Sequence, residues 1–237
     1  GASSPMKRAL RSIPSKTDIS RAPDELQRGR QCHARRAWKS AYEALSRAGA
    51  LGAEDLERLA LAAYMSGRER ESLETLARAY RAHLELAALA RAARVAFWLC
   101  LRLLFRGEMG QANGWLGHAR RLLRRELQPG AEEGYLLVAS AQLKISEGEL
   151  DAADANAALA TRIGEQFADP DVIALALYLR GTIRLQQGKV AAGLLLLDEG
   201  MLAVTAAELS PLVTGLIYCG VIEACQLASE FGRGARS

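Results

Sequence analysis

Residues 141–200 read AQLKISEGELDAADANAALATRIGEQFADPDVIALALYLRGTIRLQQGKVAAGLLLLDEG. Within this stretch Gly148 and Gly188 each end one amphipathic, leucine- and alanine-rich segment and precede another, and Pro170 stands between them. Glycine is favoured just past a helix C-terminus, where the chain turns left-handed, and proline at a helix start, where its missing N–H costs nothing. Gly then marks the turn inside a helical hairpin, and Pro the boundary between hairpins. Outward from this stretch the marks recur: Gly67, Gly107, Gly148 and Gly188 follow at intervals of 40 or 41, and Pro129, Pro170 and Pro211 at 41. In the third unit Ala88 stands in phase with the boundary proline, and in the first unit Arg36 takes the place of the turn glycine.

Small residues keep the same phase. Seven before each turn glycine stand Ala60, Cys100, Ala141 and Gly181; five after it Ser72, Ala112, Ala153 and Gly193; twelve after it Ala79, Ala119, Ala160 and Gly200. A first unit fits with Gly29, Ala41 and Ala48, and a sixth begins with Ala224 and places Phe231 near its turn. Small side chains at fixed points let neighbouring helices approach closely. The spacing predicts helix pairs 23–35 with 38–48, 54–66 with 69–86, 90–105 with 108–127, 132–146 with 150–167 and 170–187 with 190–209, then a lone helix over 211–229. The expected fold is all-α, a right-handed superhelical solenoid of about five helical hairpins plus one terminal helix. Residues 1–22 are expected to be a disordered leader, opening with an expression scar (GASSP), and residues 23–237 a repeat domain truncated within its sixth repeat.

Composition agrees. Hydrophobic residues make up 50% of the 237, mostly Ala and Leu, which excludes a disordered chain, while the apolar runs fall short of the ~18–20 residues that span a bilayer. A formal charge of +4 permits an acidic partner and requires none. With no secretory signal, Cys32, Cys100, Cys219 and Cys225 read as reduced thiols in a cytoplasmic protein.

The phased small residues, turn glycines and boundary prolines resemble the tetratricopeptide repeat (TPR) from about Asp24 onward. The period near 40 exceeds that family's ~34, and longer units of this kind are similar to the repeat domains of LuxR-type bacterial transcriptional regulators. The resemblance implies a non-enzymatic protein-interaction or ligand-sensing module, regulatory in role, holding a peptide or protein partner in a concave groove lined by the first helix of each pair. Counting from the turn glycines carries the family's contact positions onto Glu57, Tyr64, Arg94, Phe97, Leu101, Tyr135, Val138, Gln142, Tyr178 and Thr182. The unfinished sixth pair leaves room for a homodimer through the C-terminal end.

Catalytic signatures are weak. Gly181–Lys189 has the wrong spacing for a phosphate loop, with Val190 where a metal-binding hydroxyl is needed. His33, His83 and His118 are scattered singly and read as surface residues, Cys219 and Cys225 as buried small hydrophobes, and Glu132, Glu133, Asp151 and Asp154 as acids complementing helix starts. No cofactor or metal is expected. Two alternatives stay open. One is an enzyme or biosynthetic accessory protein with a small-molecule pocket near Trp98, Trp115 and Tyr135. The other is a nucleic-acid-associated protein using the block Arg120, Arg121, Arg124 and Arg125, disfavoured because aromatic residues do not interleave with the arginines.

Overall fold

The computed structural model describes the backbone of residues 16–206 and 209–234, and the side chains of residues 24–206 and 209–226. Among the described residues all regular structure is helical: α1 (Lys16–Ala34), α2 (Trp38–Arg47), α3 (Ala53–Met65), α4 (Glu69–Glu85), α5 (Leu89–Phe105), α6 (Met109–Leu123), α7 (Glu132–Ser146), α8 (Leu150–Gln166), α9 (Pro170–Gln186), α10 (Val190–Thr205) and α11 (Pro211–Gly234). The chain divides into two compact units, Gly1–Thr75 and Leu76–Ser237.

In the first unit α1 packs on α2, and α2 on α3. Gly29 allows the first contact: a methyl group there would stand 2.6 Å from Leu45 Cγ. The Ser72 hydroxyl donates to the Ala60 carbonyl at 2.5 Å, satisfying a buried polar group at one of the phased small positions.

In the second unit the first helices α5, α7, α9 and α11 neighbour one another in series. Each second helix, α6, α8 and α10, lies against its own first helix and the following one. This is the adjacent-pair packing of an all-α, solenoid-like fold. The phased small residues lie where the helices cross: Cys100, Ala112, Ala119, Ala141, Ala153 and Ala160 have no exposed surface. In the α9–α10 pair backbones nearly touch, since a Cβ on Gly193 would sit 2.9 Å from the Gly181 carbonyl oxygen and one on Gly181 would sit 2.8 Å from Leu197 Cγ.

The turns are built as the glycines imply. Gly107, Gly148 and Gly188 have φ of 74°, 79° and 75°. At each, a pair of backbone bonds closes the helix, as when Gly107 N–H bonds to Leu104 O and Glu108 N–H to Leu103 O, both at 2.9 Å. The same closure recurs without glycine at Arg36, Ala87 and Ala168, whose φ values are 57°, 54° and 50°.

Several boundaries differ from the sequence reading. Helix α1 begins at Lys16, so helical backbone takes in the end of the segment expected to be disordered; residues 1–15 lie outside the described residues. Pro23 loses one hydrogen bond inside a helix, which disfavours helix without forbidding it. Helix α6 stops at Leu123 rather than 127, because the Glu126 carboxylate accepts the Leu127 and Gln128 amides and Gln128 precedes a proline. Helix α10 ends at Thr205 rather than 209. Helix α11 stays helical through Phe231 to Gly234, so no turn falls near Phe231.

Candidate functional site

Arg94 and Tyr135 hold the same place in the repeat, thirteen residues before Gly107 and Gly148. Because α5 and α7 pack side by side, the Arg94 guanidinium carbon lies over the Tyr135 ring, 4.7 Å from its centroid. Arg94 Nη2 donates to Glu132 at 2.8 Å and reaches Asp169 at 3.5 Å. The Tyr135 hydroxyl donates to Asp169 Oδ1 at 3.1 Å, and the same oxygen accepts the Val172 amide at 3.1 Å as the N-cap of α9. Asp171 accepts the Ser210 amide at 2.8 Å, just ahead of α11. An open cavity of about 520 Å³ lies among these groups, lined by Arg94, Tyr135, Phe167, Asp169, Asp171 and Ser210.

The cluster is electrostatically lopsided: one guanidinium faces three carboxylates, Glu132, Asp169 and Asp171. Burial works against the Arg94 charge, but Tyr135, Glu132 and Asp169 outweigh it and hold its pKa above the usual value. Asp171 is driven the other way: burial pushes its pKa up, the Ser210 hydrogen bonds oppose this, and the neighbouring Asp169 charge adds to it. Among the described residues Arg94 Nε is buried without a hydrogen-bond partner. Burial also raises Tyr135 strongly, so it stays a phenol that can donate and is not a nucleophile near neutrality. The buried Cys100 thiol is pushed up by burial to about 11.

The expected groove residues divide. Arg94, Gln142, Tyr178 and Thr182 are half-buried on the first helices of the second unit, and Glu57 and Tyr64 half-buried on α3 of the first. Phe97, Leu101 and Val138 are instead at most 3% exposed, which corrects their assignment as partner contacts, while Tyr135, 2% exposed, is buried as well but borders the open cavity beside Asp169. The side-by-side packing of α5 and α7 buries them, with the Phe97 and Tyr135 ring centroids 5.0 Å apart. Tyr178 covers Gly220 of α11, where a methyl group would collide with its ring.

Other readings change as well. Trp98 stands edge-on to Phe97 and Trp115 edge-on to Tyr80, and neither lines either of the two cavities described. His83 is buried rather than at the surface, while Cys219 and Cys225 are exposed on α11 rather than buried. Asp154 lies beyond the first turn of α8, and it pairs with Arg184 at 2.7 Å and with Arg180 at 3.5 Å. Asp169, Asp171 and Ser210 were not singled out from sequence. The available signal was positional, since Asp169 and Ser210 each immediately precede a boundary proline.

Among the described residues no group of His, Cys, Asp and Glu is arranged to hold a metal ion, and no helix is long and apolar enough to cross a membrane. No protein-family model and no curated protein sequence matches this chain. A likeness does emerge among solved structures: the crystal structure of BtubC (BKLC) from P. vanneervenii superposes with a TM-score of 0.53 at 16% identity, covering 84% of this chain and 95% of that one. At that identity the likeness extends to the fold alone, an array of paired helices.

Proposed function

We propose that the chain is a TPR-type interaction module, non-enzymatic and cytoplasmic, which binds a peptide or protein partner on the first helices of its second unit. The reading includes a regulatory, transcription-associated role of the kind implied by the likeness of its long repeats to LuxR-type bacterial regulators. One observation carries the binding claim: successive segments of the repeat deliver Arg94, Tyr135, Asp169, Asp171 and Ser210 to one open cavity whose charge is uncompensated on the acidic side. A partner offering a lysine or arginine side chain would supply the missing positive charge. The raised pKa values of Cys100 and Tyr135 favour binding over nucleophilic chemistry.

A random-peptide selection against the intact chain tests this. Lys- or Arg-bearing peptides should be enriched, and Asp171→Asn, which keeps an acceptor for Ser210, should weaken them by about tenfold. Enrichment indifferent to Asp171 would refute the reading. Self-association through α11 accompanies it as a proposal, supported by Tyr218 and Ile222 standing 46% and 59% exposed there.

A second reading, a nucleic-acid-associated protein, has one observation in its favour. Arg120, Arg121, Arg124 and Arg125 are all exposed, and the Arg121 charge acts on Tyr80, itself edge-on to Trp115. Binding to single-stranded RNA that falls steeply with added salt would support it.

A further inference from the structure

A second cavity, of about 600 Å³, lies at the connection between α6 and α7. The corresponding connection between pairs, from α8 to α9, takes only residues 167–169, whereas α6 and α7 are joined by residues 124–131. The helical turn that α6 forgoes after Leu123 leaves space between its end, the connection and the start of α7. The apolar part of the lining includes Leu123, Leu136 and Leu137, with Leu127, 94% exposed, beside them. The size lies within the ~300–1,000 Å³ typical of small-molecule sites.

Charge decides the kind of molecule. Arg120 in the last turn of α6 and Arg124 at its C-cap both line the cavity, and among the described residues neither forms an ion pair. Arg120 donates to the neutral Ser140 hydroxyl at 2.8 Å. The carboxylates of the lining are largely committed: Glu132 to Arg94 at 2.8 Å, and Glu126 to the Leu127 and Gln128 amides of its own connection. Those bonds fix where the Glu126 and Glu132 charges sit without removing them, and Glu133, on the first turn of α7, is a third acid, so an anion's place is the Arg120, Arg124 and Ser140 part of the lining and not the cavity as a whole. The C-terminal end of the α6 dipole opposes an anion, but two full charges outweigh a fraction of one.

We propose that this cavity binds a small organic anion with an apolar body, a carboxylate or phosphate monoester on a chain of about eight carbons. The head would sit at Arg120, Arg124 and Ser140, and the chain on Leu123, Leu136 and Leu137. The site goes beyond the peptide-binding reading and does not depend on it, since Asp171 does not line it.

Isothermal titration of the intact chain tests it, with octanoate and octyl phosphate as the two possible heads, octanol as chain without charge, and acetate and inorganic phosphate as charge without chain. At least one of the two amphiphiles should bind saturably at one per chain, and the stronger of them identifies the head. Octanol, acetate and phosphate should each bind at least about tenfold more weakly, and Arg124→Gln should weaken the amphiphile by about tenfold. Arg125→Gln, which removes a neighbouring exposed charge outside the lining, should change it less than about twofold. Both variants are surface changes whose melting temperature verifies the fold. No saturable binding, equal binding of octanol or of the bare anions, or equal loss with Arg125→Gln would each overturn the proposal.

Discussion

Two carboxylates, one in each unit, have been solved in opposite ways. Asp55 in α3 is 4% exposed and saturated with cations: Arg30 holds both its oxygens, at 2.9 and 2.7 Å, and Arg58 adds a third bond at 2.7 Å. The Arg30 hydrogen bond, with Arg58 behind it, outweighs burial and holds the Asp55 carboxyl below the usual range. Asp171 in α9 is half-buried on one backbone amide, with a second acid nearby and a pKa pushed up. Asp55 is therefore a structural clasp between helices, whereas Asp171 is a charge the fold tolerates at some cost. A carboxyl group whose burial disfavours its charge, beside an open cavity, is where a binding role is most naturally placed.

The difference can be broken by substitution. Asp55→Ala should cost about 2 kcal/mol, below the usual loss for a broken buried pair because Arg30 and Arg58 reach water. Faster hydrogen exchange across α1–α3 would register it. The same clasp has a pH signature: with its folded pKa lowered, Asp55 contributes fully above its unfolded value near ~4, and that contribution is lost as pH falls through the lowered value. Tyr135→Phe should cost about 1 kcal/mol in urea denaturation, since Asp169 keeps the Val172 amide and the Arg94 contact. Asp171→Asn should be neutral or stabilising by up to about 1 kcal/mol at neutral pH. Its sign is the reverse of Asp55: with its folded pKa raised, acidification through that value relieves the fold, and Asp171→Asn should abolish this gain. Smallest of all, Ala168→Gly beside the cavity relaxes a left-handed alanine and should stabilise by about 0.5 kcal/mol in the same denaturation measurement.

Much of the fold was legible because helix phase is written in residue size. Cys100, Ala112, Ala119 and their counterparts lie buried where their distance from the turn glycine put them, and the left-handed Arg36 fills the first turn as its alignment implied. The site was less legible. Register says which face of a helix a residue occupies, but not whether another helix covers that face. Phe97 and Tyr178 share a groove assignment, yet the first is fully buried and the second half-buried. The same limit explains Cys219 and Cys225, exposed on α11. Asp169 and Asp171 escaped notice because the proline between them was read only as a helix start, although its flanking acids meet Arg94 and Ser210 from distant parts of the chain.

The left-handed turns at Gly107, Gly148, Ala168 and Gly188 also set how the chain can change length. Adding one residue to such a joint would swing the following helix about 100° around its axis and carry its row of alanines or glycines away from its partner. Residues 124–131 contain no left-handed residue and are under no such lock. Insertions and deletions should therefore collect there, so the wall of the larger cavity is the part of the second unit most free to diverge while the stacked pairs on either side stay in step.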